Sequence, residues 1–298
     1  MSLRILVLGA AAGGGLPQWN CGCRNCVAAR EGDLPSLSQS SIAVSGDGEH
    51  WAIINASPDL RQQLAATPAL HATGLRQTPI VSVLVTNGDI DHVAGLLTLR
   101  EKQPFRLLAT SEVHAVLAAN PLFQALDPTL VAREAVAIGE TVELAPGLRA
   151  TLFPVPGKVP LYLEAGEVVT DQEGEFTVGV EFASTDARGF YIPGCARMTP
   201  ALAARLQGAA LVLFDGTLYR DDEMITAGLG AKTGRRMGHM PIGGPDGSLA
   251  AFAELDVGRK VYVHLNNSNP VLDPRTPERA VVTAAGWTVA GDGMEIRA

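Results

Sequence analysis

Three of the four cysteines in this chain lie within one short segment, "WNCGCRNC", as Cys21, Cys23 and Cys26. Cysteines spaced this closely serve as disulfide partners, as metal ligands or as reactive thiols. The N-terminal apolar run "RILVLGA" is too short for the core of a signal peptide, so a cytoplasmic protein is expected. Cytoplasmic thiols stay reduced, and disulfides are therefore disfavoured.

The C-x-C-x-x-C spacing favours a metal, because it can turn three sulfurs toward one point and Zn²⁺ takes four nitrogen or sulfur ligands in a tetrahedron. Gly22 lets the backbone turn tightly between the first two sulfurs. We therefore predict a structural zinc-binding loop over residues 19–27, with free or redox-active thiols as the alternative. The spacing leaves the fourth ligand open, and Cys195 in "YIPGCARM" is expected to be a small packed residue instead.

A second group of possible ligands follows the apolar run "IVSVLVT", which predicts a buried strand over 80–86. The segment "TNGDIDHVAGL" places Asp89, Asp91 and His92 within four residues of one another, just before a predicted helix. Two carboxylates and an imidazole on a turn at a strand end can converge on a cation. The alternative is a solvated turn whose aspartates cap the following helix.

Rigid elements have to position these side chains, and the alternation of apolar runs with turn residues predicts an α/β fold. Strands are expected at 4–10, in a hairpin over 40–57, at 80–86 and 105–110, in a pair within 141–157, at 177–184, 189–194 and 210–217, and, as the last strand, at 259–267. Helices are expected at 58–66, 93–103, 111–119 with Ser111 as its cap, and 199–209. No linker or repeat stands out, so residues 1–298 are predicted to form one compact domain.

The overall composition argues against some kinds of partner. Hydrophobic residues make up 47% and charged residues 18% of the chain, which predicts a globular protein with a sizeable core. The formal net charge of -8 disfavours a surface that binds nucleic acid or anionic lipid. No apolar run reaches the length of about 18 residues that a transmembrane helix needs. No nucleic-acid or membrane partner is therefore expected, while a homodimer stays open.

Many segments along nearly the whole chain together resemble the pyrroloquinoline quinone (PQQ) biosynthesis protein B family of the metallo-β-lactamase superfamily. Among them are "AAGGGLPQWNCGCRNC", "NASPDLRQQ", "HVAGLLTLRE", "YIPGCARM", "FDGT", "GHMPI" and "VHLNNSNPVL". The resemblance implies an αββα sandwich of two mixed β-sheets flanked by helices. It also implies a role in making the quinone cofactor from a precursor that contains Glu and Tyr. Implied partners are a small peptide-derived or amino-acid substrate, O₂ and other proteins of the PQQ pathway.

The superfamily motif T-H-x-H-x-D-H is only partly kept. Thr86, Asp91 and His92 match it, while Asn87 and Asp89 stand where the two remaining histidines belong. With His264 as the last histidine of the superfamily pattern, the resemblance implies one active-site metal held by Asp91, His92 and His264, with Asp89 beside or among the ligands. Two imidazoles and a carboxylate are the ligand set of non-haem Fe(II) oxygenases, so Fe²⁺ and hydroxylation of the tyrosine ring are expected.

The resemblance also assigns roles to residues outside these motifs. A related phosphodiesterase with the same cysteine spacing completes its zinc site with a histidine three residues after the last active-site histidine, a position that is Asn267 here. His239 matches a histidine on a late loop that moves protons or completes the site in relatives. Asp215 is a candidate from the sequence itself, because it is a carboxylate that ends the buried run "LVLFD". It is expected either to bind metal or to orient an imidazole, with a simple turn residue as the alternative.

Lys158, Arg235 and Arg236 are candidates for binding substrate carboxylates, since guanidinium groups match carboxylate geometry; an ordinary solvated surface is the alternative. Two other functions stay open for the whole chain. One is a soluble carrier or transport-accessory protein for PQQ or its precursor. The other is a residual metallo-hydrolase, which the loss of the first-site histidines disfavours because such hydrolases use two metals.

Overall fold

The buried apolar runs form two facing β-sheets in the computed structural model, which describes residues 3–298. The first sheet has seven strands in the order β14-β1-β2-β3-β4-β5-β6. They are β1 (Arg4–Gly9), β2 (Ser41–Ser45), β3 (Trp51–Ile54), β4 (Ile80–Leu84), β5 (Phe105–Ala109), β6 (Val131–Ala135) and β14 (Glu295–Arg297). Pairing is antiparallel from β14 to β3 and parallel from β3 to β6, so the sheet is mixed.

The second sheet is also mixed and has seven strands, in the order β13-β12-β11-β10-β9-β8-β7. They are β7 (Thr141–Ala145), β8 (Leu148–Pro154), β9 (Val178–Ala183), β10 (Arg188–Ile192), β11 (Leu211–Asp215), β12 (Arg259–Val263) and β13 (Trp287–Val289). Strands β10 to β13 run parallel, so the carboxyl ends of β11 and β12 meet at one edge.

Side-chain alternation explains how the sheets pack. In β1, Ile5 and Val7 face the second sheet and join a core that both sheets share, whereas Leu6 and Leu8 join the core beneath the outer helices. Because these strands are covered on both faces, they are apolar almost throughout. The expected αββα sandwich is therefore confirmed.

Nine α-helices lie between the strands of the described range, most of them short. They are α1 (Arg24–Glu31), α2 (Leu60–Ala66), α3 (Ile90–Val93), α4 (Ser111–Ala118), α5 (Pro200–Leu206), α6 (Glu223–Thr226), α7 (Gly234–Met237), α8 (Ser248–Ala251) and α9 (Pro277–Ala284). Turns of 3₁₀-helix occur at Pro68–Leu70, Ala94–Arg100, Pro121–Ala125, Leu161–Leu163 and Pro270–Leu272. Within residues 3–298, no helix is both long enough and apolar enough to cross a membrane.

Several predicted boundaries were wrong. The expected helix over 93–103 is instead a 3₁₀ segment, Ala94–Arg100. Within it, the backbone at Gly95 packs so closely on Ser57 that a β-carbon would lie 2.0 Å from the Ser57 backbone oxygen, so only glycine fits there. Thr110, and not Ser111, caps α4 by accepting a hydrogen bond from the Val113 N–H.

The strand predicted over 259–267 ends at Val263, because His264 turns the chain with a positive φ of 56°. It is also not the last strand. Strand β13 extends the second sheet beside β12, and β14 pairs with β1 at the edge of the first sheet.

Candidate functional site

A cavity of about 340 Å³ opens where the two sheets bring their strand ends together. The turn after β4 contributes Asp91 and His92, and the turn after β12 contributes His264. Thr217, just beyond β11, and His239, which follows α7, complete the polar wall. The site therefore depends on both sheets, and its position at strand ends gives its side chains a rigid support.

Asp91, His92 and His264 have ligand atoms that all lie within 4.8 Å of one another. The Asp91 Oδ2 atom is 3.1 Å from His264 Nε2 and 3.9 Å from His92 Nε2. One carboxylate and two imidazoles that converge in this way match the donor set of a transition-metal site.

The surroundings of His92 indicate whether a metal fits this group. Its side chain is only 2% exposed, and neither ring nitrogen has a hydrogen-bond partner. A buried polar atom without a partner is unfavourable unless something else binds it. Burial also lowers the pKa of His92 to about 4, so the imidazole is neutral at pH 7 with a free lone pair. The residues present fit a bound cation.

Asp91 and His264, the other two members of this group, have pKa values shifted in opposite directions. Burial alone would raise the pKa of Asp91, but neighbouring His92 and the hydrogen bond from His264 outweigh it and lower that pKa. For His264, burial alone would lower the pKa, but the Asp91 carboxylate outweighs it and the pKa is raised. Asp91 is therefore ionised at pH 7, and the protonated form of His264 is favoured relative to that of a free imidazole.

Asp215, His239 and His264 form a second group with ligand atoms within 4.8 Å, but Asp215 is already saturated with hydrogen bonds. Its Oδ2 accepts from the Cys195 N–H at 2.9 Å and contacts His239 Nδ1 at 2.7 Å. Its Oδ1 accepts from the Thr217 N–H at 3.0 Å and from the Thr217 hydroxyl at 2.6 Å. Of the two roles expected for Asp215, this geometry favours orienting an imidazole over binding metal.

Thr217 has no sequence signal beyond its place in "FDGT", and in the structure it links His239 and His264. Its hydroxyl oxygen is 2.8 Å from His264 Nδ1 and 3.1 Å from His239 Nδ1. Since that hydroxyl donates to Asp215, its oxygen is free to accept the Nδ1–H of His264. Both rings are thereby held with Nδ1 toward Asp215 and Thr217, leaving Nε2 for the cavity.

Asp89 does not join either group of converging ligand atoms among the described residues. It lines the cavity, and its pKa is raised, first by burial and then by the charge of Asp91. Of the two positions expected for Asp89, this geometry places it beside the converging ligand atoms and not among them. Asn87, which also stands at a histidine position of the superfamily motif, accepts a hydrogen bond from the Asp89 N–H through its side-chain oxygen at 3.0 Å.

The three clustered cysteines converge as their spacing predicts, with Sγ atoms within 4.8 Å of one another. The Asn267 amide nitrogen caps them, at 3.1 Å from Cys21, 3.5 Å from Cys23 and 3.2 Å from Cys26. Turning the amide by half a rotation would present its oxygen to the same point, so the group fits a tetrahedral cation. The segment 19–27 is not a loop throughout, because α1 begins at Arg24 and holds Cys26 in its first turn.

Of the three cationic residues predicted to bind substrate, only Lys158 lines the cavity. The cavity is also lined by Lys232, a residue for which the sequence carries no functional signal. Arg236 lies behind them and binds Glu164 through two hydrogen bonds. Arg235 is not among the described residues that line the cavity, and its Nη2 donates to the Asp246 backbone oxygen at 3.3 Å.

Comparison with known proteins adds to this geometry. A sequence model of the beta-lactamase superfamily domain matches residues 50–265. The coenzyme PQQ synthesis protein B of Rhizobium meliloti (strain 1021) is 57% identical over 297 residues, which cover 99% of this chain and 98% of that protein. The protein of the same name from Ruegeria pomeroyi is 56% identical over 294 residues, which cover 99% of each.

Solved structures are similar over the same length. The crystal structure of Zn(2+)-bound PqqB from Methylobacterium extorquens is 53% identical, with a TM-score of 0.97 over 98% of this chain and 99% of that one. A diphosphatase of the PhnP family is 21% identical with a TM-score of 0.70 over 100% and 98% of the two chains, which is a likeness of fold alone.

Proposed function

This chain belongs to the coenzyme PQQ synthesis protein B family of the beta-lactamase superfamily, and on that premise we propose that it acts in PQQ synthesis as an iron-dependent hydroxylase. The substrate is the tyrosine ring of a precursor derived from Glu and Tyr, and O₂ is the co-substrate. One observation carries the proposal: Asp91, His92 and His264 form a single converging donor set of one carboxylate and two imidazoles.

A single metal is favoured over a hydrolytic pair for a structural reason. The carboxylate that would serve a second metal, Asp215, is held by four hydrogen-bond contacts from Cys195, Thr217 and His239. Asn87 and Asp89 replace the histidines that such a second site needs. Hydrolases of this superfamily use two metals to polarise the scissile group and generate hydroxide, so these residues support other chemistry.

The reaction balances with an external reductant. A ring carbon exchanges its hydrogen for a hydroxyl group that contains one atom of O₂, and the other atom leaves as water, with a pair of electrons and a pair of protons supplied. Iron bound at the site would supply the redox chemistry for O₂. His239 can hold or move a proton at the substrate phenol through Nε2, because Asp215 fixes its Nδ1.

The test is turnover of an anaerobically prepared, Fe(II)-loaded protein with a reductant, isotope-labelled O₂ and a tyrosine-containing Glu-Tyr peptide. We expect one labelled oxygen atom on the ring by mass spectrometry, and slower turnover without loss of iron in His239→Ala. Hydrolysis of a phosphodiester or lactam at a comparable rate, with no label incorporated, would overturn the proposal. Tight peptide binding without any turnover would favour the carrier instead.

A further inference from the structure

The loop between β8 and β9 forms one side of the active-site opening. Its base is closed by an antiparallel bridge, in which Gly157 and Gln172 exchange N–H···O bonds of 3.1 and 2.9 Å. At its tip, Leu161 lines the cavity, and the Tyr162 hydroxyl donates to the Gly88 oxygen at 2.6 Å. The loop is therefore fixed to the turn that carries the metal-type ligands.

Glu164, on the same loop, gathers three cations around one carboxylate. Arg236 binds it with both guanidinium nitrogens, at 3.1 and 2.9 Å. Lys158 Nζ lies 3.1 Å away, and Lys232 Nζ lies 3.7 Å away. The side chains of Glu164 and Lys158 are each only 10% exposed, whereas those of Lys232 and Arg236 are 39% and 37% exposed. The carboxylate is therefore shielded from water, while two of its three cationic partners remain accessible.

The two lysines are not required to neutralise the Glu164 carboxylate or to satisfy its hydrogen bonds. A forked guanidinium already satisfies a carboxylate, and the Arg236 hydrogen bonds are the main reason that the pKa of Glu164 falls to about 2. Three positive charges around one negative charge leave the cluster net positive, and half-buried charges are costly without partners. Lys158 and Lys232 also line the cavity, so a second anion could reach their ammonium groups from that side.

The rest of the cavity wall makes this positive edge distinctive. Asp89 and Asp91 also line the cavity but can only accept hydrogen bonds when ionised, whereas the two lysines offer a substrate carboxylate charged donors. Lysine suits such an exchange because its ammonium group is a compact charge on a flexible stem that can turn from one acceptor to another.

We propose that Lys158 and Lys232 form a subsite for a carboxylate of the substrate, and that Glu164 holds both ammonium groups until that carboxylate takes them over. The inference rests on the proposed function, which supplies an acidic amino-acid or peptide substrate. Arg236 keeps Glu164 bound after the transfer, so the loop need not open. The subsite orients the substrate by its carboxylate while the ring lies toward Asp91, His92 and His264.

The experiment measures binding by calorimetry, without O₂ or turnover, to the full chain as purified with its metals. The probes are L-glutamyl-L-tyrosine and L-glutaminyl-L-tyrosine amide, which have nearly the same shape but differ in their carboxylates. We expect the first to bind about tenfold more tightly, equivalent to about 1.4 kcal/mol, because only its carboxylates can form charge-assisted hydrogen bonds with the lysines. Lys232→Gln or Lys158→Gln should remove this preference and leave binding of the amide unchanged.

Glu164→Gln separates the proposal from a merely structural role of the ion pairs. It should strengthen binding of glutamyl-tyrosine several-fold, because the lysines lose their competing partner, and leave the amide unaffected. Arg235→Gln is the matched control, since Arg235 lies outside the cavity and should change neither affinity. Equal affinity of the native protein for both probes would overturn the subsite, as would unchanged or weaker glutamyl-tyrosine binding in Glu164→Gln. A carboxylate preference without hydroxylation would leave the subsite standing and contradict only the proposed reaction.

Discussion

Three histidines line the cavity, and the hydrogen-bond partners of their ring nitrogens suit each of them to a different role. His92 has no hydrogen-bond partner at either nitrogen, which suits a metal ligand. His264 lies between Asp91 at Nε2 and Thr217 at Nδ1, which suits a ligand whose ring orientation is fixed. His239 uses Nδ1 on Asp215 and stacks on His264 with ring centroids 5.1 Å apart. It is the histidine placed to move protons beside the metal.

Metal binding should release protons from His264. Its pKa is raised above the ordinary value of 6.5 in the metal-free protein by the Asp91 carboxylate, so its protonated form persists to a higher pH than in a free imidazole. Affinity for Fe(II) should therefore rise as pH increases through that pKa, with a proton released on metal binding below the pKa and progressively fewer above it. His92, with a pKa of about 4, should release none over this range.

Calorimetry in buffers of different ionisation enthalpy measures this proton release. The active-site signal should be identified by its loss in Asp91→Ala, which should keep the metal bound by the cysteines. An affinity that does not change between pH 6 and 8 would contradict the assignment of His264 as a ligand.

Removing the Thr217 hydroxyl should loosen the site. Thr217→Val has nearly the same shape but leaves His264 Nδ1 without its partner and removes one of the two hydrogen bonds that Asp215 Oδ1 accepts. We expect a loss of about 1–3 kcal/mol in the free energy of unfolding, together with weaker active-site metal binding. Thr217→Ser keeps the hydroxyl and should restore metal affinity almost fully, as judged by denaturant unfolding and metal titration. A serine variant as defective as the valine variant would show that the methyl group, and not the hydrogen bonds, matters.

At the scale of elements, buried strands were the predictable part. Runs such as "IVSVLVT" and "ALVLFDGT" are apolar almost throughout because sheets and helices cover both faces, and they became β4 and β11. Short elements were missed where tertiary contacts decide. The strand Glu295–Arg297 has only three residues and is defined by its pairing with β1. The local sequence contains no pattern that predicts this pairing.

The candidate site was predictable only where its residues are close in sequence or belong to a family motif. Asp91 and His92 are adjacent, and the three cysteines span six positions. His264 lies 173 residues from Asp91 and was reached through the family resemblance alone. Lys232 and Thr217 have no distinguishing sequence pattern, and only the folded chain brings them to the cavity.

The cysteine cluster connects α1 to the turn that follows β12, so its loss should lower the stability of the fold. Asn267 contacts all three sulfurs, and its backbone oxygen accepts from Asn25 Nδ2 at 3.0 Å. Cys23→Ser should lose the bound zinc and lower thermal stability, because a structural zinc contributes folding free energy directly. His264 lies only three residues before Asn267, so active-site metal affinity should also weaken, by less than in Asp91→Ala.

Metal analysis and thermal unfolding of Cys23→Ser test this expectation, with Cys195→Ser as the control. Cys195 is buried but lies outside the cluster, so its variant should keep the zinc. Full zinc content in Cys23→Ser would mean that the cysteines are not its ligands.

At the scale of the whole molecule, the active site joins the two sheets. Asp91 and His92 follow a strand of the first sheet, while His264 follows a strand of the second. A metal bound by all three would therefore link the two halves of the sandwich beyond the apolar core they already share. A ligand that binds only the folded state stabilises it in proportion to its concentration over its dissociation constant.

Fe(II) should accordingly raise the melting temperature of the anaerobic protein, with a stabilisation of about 2.7 kcal/mol once the free metal exceeds the dissociation constant about 100-fold. Asp91→Asn keeps the shape of the side chain but loses the negative charge that binds the cation and that pairs with His264 Nε2. This variant should melt at a temperature that Fe(II) no longer changes, while Cys23→Ser should start from a lower value and still respond. The contrast separates the two metal sites, because each variant removes ligands from only one of them. An Fe(II) response in Asp91→Asn equal to that of the native protein would mean that the stabilising metal binds elsewhere, and that the two sheets are not joined through this site.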